Sequence, residues 1–220
     1  MKSNQENASG DMPQPGLVLI LNVDDDSKFV SLLNGGFMIK AQMGESVQAL
    51  LCDRLGLDKS YFDERIQTLF LNSKPVDDPA TAAVKNNAVL ALSAAMPGLV
   101  GATFRKGGKY RWMRGSISHP DDGEMTTGKT GWVTVKLFNL ILKELGPFFL
   151  EAGIWLKGPT MQAFFAERTG SLADVIQSAS WNGREIVPGS ILKIAWPDAP
   201  VFIRIVNSTF GIQGTRNDRR

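Results

Sequence analysis

Apolar positions along the chain fall into runs of two kinds. Residues 16–23 (GLVLILNV) are apolar without a break and of strand length, which predicts a central strand buried on both faces. Asp24-Asp25-Asp26-Ser27 ends it as a solvated acidic turn, because nothing nearby supplies the spaced oxygens of a calcium loop. Residues 28–33 read as a short edge strand. Residues 37–42 read as a second strand, after the Asn34-Gly35-Gly36 turn. From Gly44-Glu45-Ser46 the period changes: Val47, Leu50, Leu51 and Leu55 recur at helical spacing, and Gly56 stops the helix. Asp58 caps a short helical turn over 59–65. Residues 68–71 form a strand, Asn72-Ser73-Lys74-Pro75 a turn and Val76-Asp77-Asp78-Pro79 a constrained loop. The Asn86-Asn87 turn then opens a strand over 88–92.

The pattern shifts after Gly131. Trp132, Val135, Leu137 or Phe138, Ile141, Leu142 and Leu145 fit one helical stripe, ended by Gly146-Pro147. Residues 148–156 stay apolar, with a break at Gly153. Pro159 suits the first turn of a helix over 160–167, with Phe164 and Phe165 facing the core. Ser171 caps a further helix over 172–178. Trp181-Asn182-Gly183-Arg184-Glu185-Ile186 turns between strands, and 191–195 and 201–206 are strands joined by a proline-rich loop. Asn182-Gly183-Arg184-Glu185-Ile186-Val187 faintly echoes Asn72-Ser73-Lys74-Pro75-Val76-Asp77, a short hint of an internal repeat.

These elements predict an α+β protein divided into a tail (1–14), a sheet-and-helix domain (15–103), a basic hairpin with a polar loop (104–130), an α+β domain of helices and a C-terminal hairpin (131–208), and a basic tail (209–220). Both tails are polar enough to be expected disordered. Hydrophobic residues make up 43% and charged residues 21%, consistent with a packed core. The net charge of +2 does not by itself call for a polyanionic partner. A single cysteine, Cys52, forbids an internal disulfide and fits a reducing compartment. The first residues lack the apolar stretch of a signal peptide, and the greasiest region carries Lys143, Glu144 and Glu151. A soluble cytoplasmic protein is therefore expected.

The order strand, strand, helix, strand, turn, strand over 16–101 resembles the β-grasp (ubiquitin-like) fold. The closer likeness is to the small sulfur-carrier proteins of thiamine and molybdopterin synthesis. Leu71-Asn72-Ser73-Lys74-Pro75-Val76-Asp77-Asp78 and Lys85-Asn86-Asn87-Ala88-Val89-Leu90-Ala91-Leu92 carry it. The resemblance implies a mixed sheet wrapped around one helix. The family's chemistry needs a free C-terminal Gly-Gly, whose carboxylate is adenylated and converted to a thiocarboxylate. Here Met96-Pro97-Gly98-Leu99-Val100-Gly101 stands at that place and the chain continues, so the carrier chemistry is not carried over. The expectation is a non-catalytic binding or scaffold protein with a protein partner, met first at Met96, Leu99 and the basic segment.

Two further segments hold candidate chemistry. Arg105, Lys106, Lys109, Arg111 and Arg114 alternate with Phe104, Tyr110 and Trp112 around Gly107-Gly108. As a hairpin they would offer cations beside aromatic planes to a phosphate or an RNA base. The alternative is a basic surface hairpin whose rings pack inward. Gly123-Glu124-Met125-Thr126-Thr127-Gly128-Lys129-Thr130 matches the P-loop pattern. Under that reading Gly123 and Gly128 open the backbone to phosphates, Lys129 neutralises them and Thr130 ligates magnesium of a Mg-nucleotide. The preceding Gly115-Ser116-Ile117-Ser118-His119-Pro120 is no buried strand, which favours a polar loop. Outside that alternative no cofactor is expected. His119 is the sole histidine, so no histidine triad and no three-ligand zinc site is expected. Cys52 lacks an activating neighbour and reads as an inert thiol.

Overall fold

Alternation decides which side of the molecule each strand buries. In β1 (Val18–Val23), Leu19, Leu21 and Val23 are fully buried, while Val18, Ile20 and Asn22 are half-buried on the other side. In β2 (Phe37–Gln42) the buried set is Phe37, Ile39 and Ala41. The structure, a computed structural model, describes residues 17–110, 112–114 and 128–208. Its remaining strands are β3 (Thr68–Leu71), β4 (Lys74–Pro75), β5 (Ala88–Ser93), β6 (Thr130–Phe138), β7 (Ile154–Lys157), β8 (Ile176–Trp181), β9 (Arg184–Ile186) and β10 (Pro200–Asn207). They join in one 10-stranded mixed sheet of order β4-β3-β5-β6-β2-β7-β10-β1-β8-β9. The protein is thus α+β, and β1 is the third strand of the run β7-β10-β1-β8-β9, fully buried on one face only.

Helices line the buried face. The 3-10 helix Asp26–Leu33 and the helix α3 (Leu140–Ala152) pack on each other under the middle of the sheet. A π-type helix, Ala49–Arg54, lies under the first half, and α4 (Gly158–Glu167) under the second. Val47, Leu50 and Leu51 point into the core as the helical spacing predicts, each fully buried. Burying such a side chain contributes about 1.5–3 kcal/mol. Asp58 caps α1 (Lys59–Arg65), accepting from Tyr61 N at 2.8 Å. The shorter helices are α2 (Gly98–Phe104), α5 (Thr169–Ala173) and a 3-10 helix, Pro188–Lys193.

Several expected elements change type. Residues 28–33 are helical, not an edge strand: Asp25 accepts from Ser27 N and Oγ, and Phe29, Leu32 and Leu33 are buried at helical spacing. The helical stripe begun at Trp132 is strand β6 up to Phe138, with Val133, Val135 and Leu137 inward. Helix α3 starts only at Leu140 and runs through Gly146-Pro147 to Ala152. Proline inside a helix costs about 3 kcal/mol. Burial of Phe149 and Leu150 on the next turn, and the close approach of Gly146 to Val30, offset it. The helix expected over 172–178 is cut short: α5 ends at Ala173 and β8 begins at Ile176, where Asn22 Nδ2 donates to Ser178 Oγ at 2.7 Å and Ala179 turns inward. Residues 188–193, led by Pro188, are helical where a strand over 191–195 was expected.

The sheet is two five-stranded halves joined through the single paired position Met38–Trp155. Each half has a parallel pair at its centre: β5 with β6, and β1 with β10. The same succession of elements occurs twice along the chain. Strand, helix, glycine and strand (β1, Asp26–Leu33, Gly36, β2) match β6, α3, Gly153 and β7. Gly36 and Gly153 have φ of 88° and 89°. At Gly153 an added Cβ would lie 2.2 Å from the Phe202 ring. The hairpins that follow also match. Asn72 and Asn182 both have φ of 51°. Asn72 N donates to Val89 O and Asn72 Oδ1 accepts from Val89 N, each at 2.9 Å. Asn182 does the same with Val18, both at 2.8 Å.

This correspondence exposes an exchange. The first strand of the second repeat, β6, lies in the first half, between β5 and β2. The first strand of the first repeat, β1, lies in the second half, between β10 and β8. The sheet therefore crosses the division drawn from sequence between 15–103 and 131–208.

Two consequences are measurable. Asn72→Ala and Asn182→Ala each remove a side-chain acceptor and put alanine, which tolerates positive φ less well than asparagine, at φ of 51°. Each should lower stability by about 1–3 kcal/mol in urea unfolding. The matching losses follow from the matching geometry. A second consequence concerns acid. Glu144 on α3 accepts from Tyr61 Oη at 2.7 Å and from Arg65, tying α1 to α3. The Arg65 and Tyr61 bonds hold its carboxyl below its ordinary value of 4.5. Its contribution is present above that value and is lost as pH falls through the lower, folded-state value. Glu144→Gln should therefore be less stable near neutrality and lose less stability in acid, read from denaturation midpoints across pH.

Candidate functional site

The face of the sheet away from the helices gathers the outward residue of each strand. Its centre is aromatic. Trp132 of β6, Trp155 of β7 and Phe202 of β10 are half-buried and in contact: the Trp132 and Trp155 ring centroids are 5.2 Å apart at 75°, and those of Trp155 and Phe202 4.6 Å apart at 59°. Lys40 of β2 stands opposite Trp132, its Nζ 5.6 Å from the Trp132 centroid and 5.3 Å from that of Trp155. Such placement attracts the ammonium to both ring faces. Register explains the row. Trp155 pairs with both Met38 and Phe202, and Phe202 pairs with Val18, so neighbouring strands bring these side chains level.

Cations flank the rings. Lys136 is exposed on β6, Lys157 on β7 and Arg204 on β10. Arg204 Nε donates to the Glu151 carbonyl at 2.8 Å, which fixes its direction. Toward β3 the face dips into a cleft of about 440 Å³. Phe70, Ala91, Met96, Lys136 and Phe138 wall it. Phe104 of α2 packs on Phe70 at 5.4 Å.

The basic segment around Gly107-Gly108 is organised differently from the expected hairpin. Among the described residues, 104–114 pair with no strand; α2 ends at Phe104, and Gly108 N closes a turn on Arg105 O at 3.0 Å. Its cations separate. Lys106 turns under the chain, its Nζ 4.3 Å from the Phe62 centroid and donating to Phe62 O at 3.2 Å. Burial pushes that ammonium below its usual range. Arg114 is buried and bonds Asp77 at 2.5 Å. Arg105 and Lys109 are exposed, as are Tyr110 and Trp112. Leu99 is exposed on α2, while Met96 lines the cleft. Arg111 lies outside the described residues.

The P-loop pattern also meets a different context. Gly123 lies outside the described residues, as does His119. Gly128 has φ of 108°, Lys129 O accepts from Met43 N at 2.8 Å, and Thr130 opens strand β6 opposite Gln42. A P-loop threonine opens a helix, whose N–H groups face phosphate. Thr130 is placed in a sheet edge-on to β2 instead. Burial raises the Cys52 thiol, which keeps it protonated. Among the described residues no group of three or more His, Cys, Asp and Glu side chains could hold a metal ion, and no helix is long and apolar enough to cross a membrane.

Sequence reasoning missed the central row. It places Trp132 in a helical stripe, Trp155 in an apolar run and Phe202 in a strand, without setting them on one face. The signal was available: Trp132, Thr134, Lys136 and Phe138 alternate with Gly131, Val133, Val135 and Leu137. No protein-family model, curated protein or solved structure matches this chain.

Proposed function

We propose that the chain is a non-catalytic binding protein built on β-grasp-like halves, and that the open face of its sheet is the working surface. The β-grasp reading draws support from the first half. There, β4-β3-β5-β6-β2 form a mixed sheet over the helix that follows β2. It departs from a simple tandem in two respects: β6, not β1, lies beside β2, and in the second half β10 lies beside β7 while β1 lies between β10 and β8. The sulfur-carrier chemistry gains no support, since Gly98 and Gly101 belong to α2 and the chain runs on through β6.

One observation carries the functional reading. Trp132, Trp155 and Phe202 form a continuous ring row at the midline of the sheet, yet lie on the face without the helix layer. Large side chains normally gain about 1.5–3 kcal/mol from complete burial. A contiguous, partly buried apolar patch rimmed by polar groups fits a contact surface. The rim here is Lys40, Lys136, Lys157 and Arg204.

Hydroxyl-radical footprinting on the full chain tests this. Trp132, Trp155, Met38 and Phe138 should be labelled in the purified protein and protected in cell extract. In the Trp132→Ala/Trp155→Ala variant, Phe138 and Met38 should lose that protection while the fold persists by circular dichroism. Equal labelling of the face in both conditions, with protection on the helix side, would contradict the proposal.

A further inference from the structure

We infer that the open face takes single-stranded nucleic acid, with bases on Trp132, Trp155 and Phe202 and phosphates on Lys40, Lys136 and Arg204. This deepens the reading of that face as the working surface and rests on it.

Charge placement is the first argument. A net charge of +2 speaks weakly about partners while its distribution is unknown. The sheet resolves the distribution. Outward strand positions carry Lys40, Lys136, Lys157 and Arg204; the carboxylate among them is Glu185, out on the terminal strand β9 opposite Ser180. Several acids lie on the helix side. Glu45 pairs with Arg54, Asp63 with Lys59, and Glu144 with Arg65, all on or beside the helices. Among the described residues, the open face thus carries a cationic patch, while the helix side carries ion pairs. That polarity fits a polyanion. It also counts against a second copy docking face to face, which would set like charges against one another.

Ring geometry is the second argument. The rings tilt by 75° and 59° against each other instead of lying flat on one another. Base–aromatic stacking needs ring surface left free, and it tolerates any base. Lys40 lies over Trp132 and Trp155, so a base stacking on either ring displaces the ammonium from the ring face and leaves it beside the base's own phosphate. Arg204, held by the Glu151 carbonyl, lies two residues along β10 from Phe202, and Lys136 lies four residues along β6 from Trp132, at the cleft. From β6 to β10 the row crosses three strand spacings of about 4.8 Å, roughly 14 Å in all. Beyond it, the cleft beside Lys136, with Phe70 and Phe138 in its walls, offers another apolar surface for a base.

The third argument separates single strands from duplexes. Reading a duplex through its major groove takes a protruding helix or a two-stranded ribbon. The open face presents neither along its central strands. Paired bases would also offer no free plane to Trp132 or Trp155.

Fluorescence anisotropy of the full chain with labelled oligouridylate, and with a labelled duplex of equal length, tests the inference. The single strand should bind more tightly than the duplex at about 50 mM salt, and weaken steeply toward 200 mM. Trp132→Ala and Trp155→Ala should each weaken binding roughly tenfold. Lys40→Gln, Lys136→Gln and Arg204→Gln should each lower the slope of log affinity on log salt by about 1. These three leave the rings in place, so they decide the matter if the tryptophan variants unfold. No anisotropy change at low salt would overturn the inference. So would equal affinity for heparin, duplex and single strand with no effect of the tryptophan variants, or a dimer that Trp155→Ala dissolves. If oligouridylate fails while extract still protects the face from footprinting, the ligand class falls and the working surface stands.

Discussion

Two parallel pairings, β5 with β6 and β1 with β10, hold this protein in its shape. Each joins strands far apart in sequence, and in each the first strand of one repeat is hydrogen-bonded inside the half built by the other. Leu90 and Leu92 face Val135 and Leu137 across one pairing; Leu19 and Leu21 face Ile203 and Ile205 across the other. All eight side chains are almost fully buried. Neither half can bury its centre without a segment of the other. The single junction at Met38–Trp155 is therefore not what unites the molecule; the exchanged strands are.

The exchange also shapes the surface. Because β6 and β10 both end up beside the midline strands β2 and β7, their outward side chains meet there. Trp132 and Phe202 reach Trp155 from opposite sides by this route. A tandem of separate halves would leave these aromatics apart. The candidate site is thus a product of the topology and not of one loop, and its cations come from β2, β6, β7 and β10 together.

Much of the fold was readable from local pattern. The continuous apolar run of β1, the helical spacing of Val47, Leu50 and Leu51, the Asp58 cap and the Asn72 and Asn182 turns all reflect nearest-neighbour physics. The two echoing turns share a backbone φ of 51° and the same pair of bonds, one to β5 and the other to β1. β6 was misread because Trp132 and Phe138 are apolar residues on the open side. They blurred the contrast that identifies a half-buried strand, so the residues that form the site hid the strand bearing it. Strand exchange had no local signal, since a parallel partner is chosen by tertiary packing. The basic segment misled for the opposite reason: its density of cations was plain, but Lys106 and Arg114 serve packing, which only Phe62 and Asp77 reveal.

Native-state hydrogen exchange, followed strand by strand in rising denaturant, puts the interlocked sheet to the test. The amides of β1, β5, β6 and β10 should converge on one opening free energy with one denaturant dependence, that of global unfolding. Two separate values, one shared by β2, β3 and β5 and another by β7, β8 and β10, would mean that the halves open independently and that the exchange of strands does not bind them.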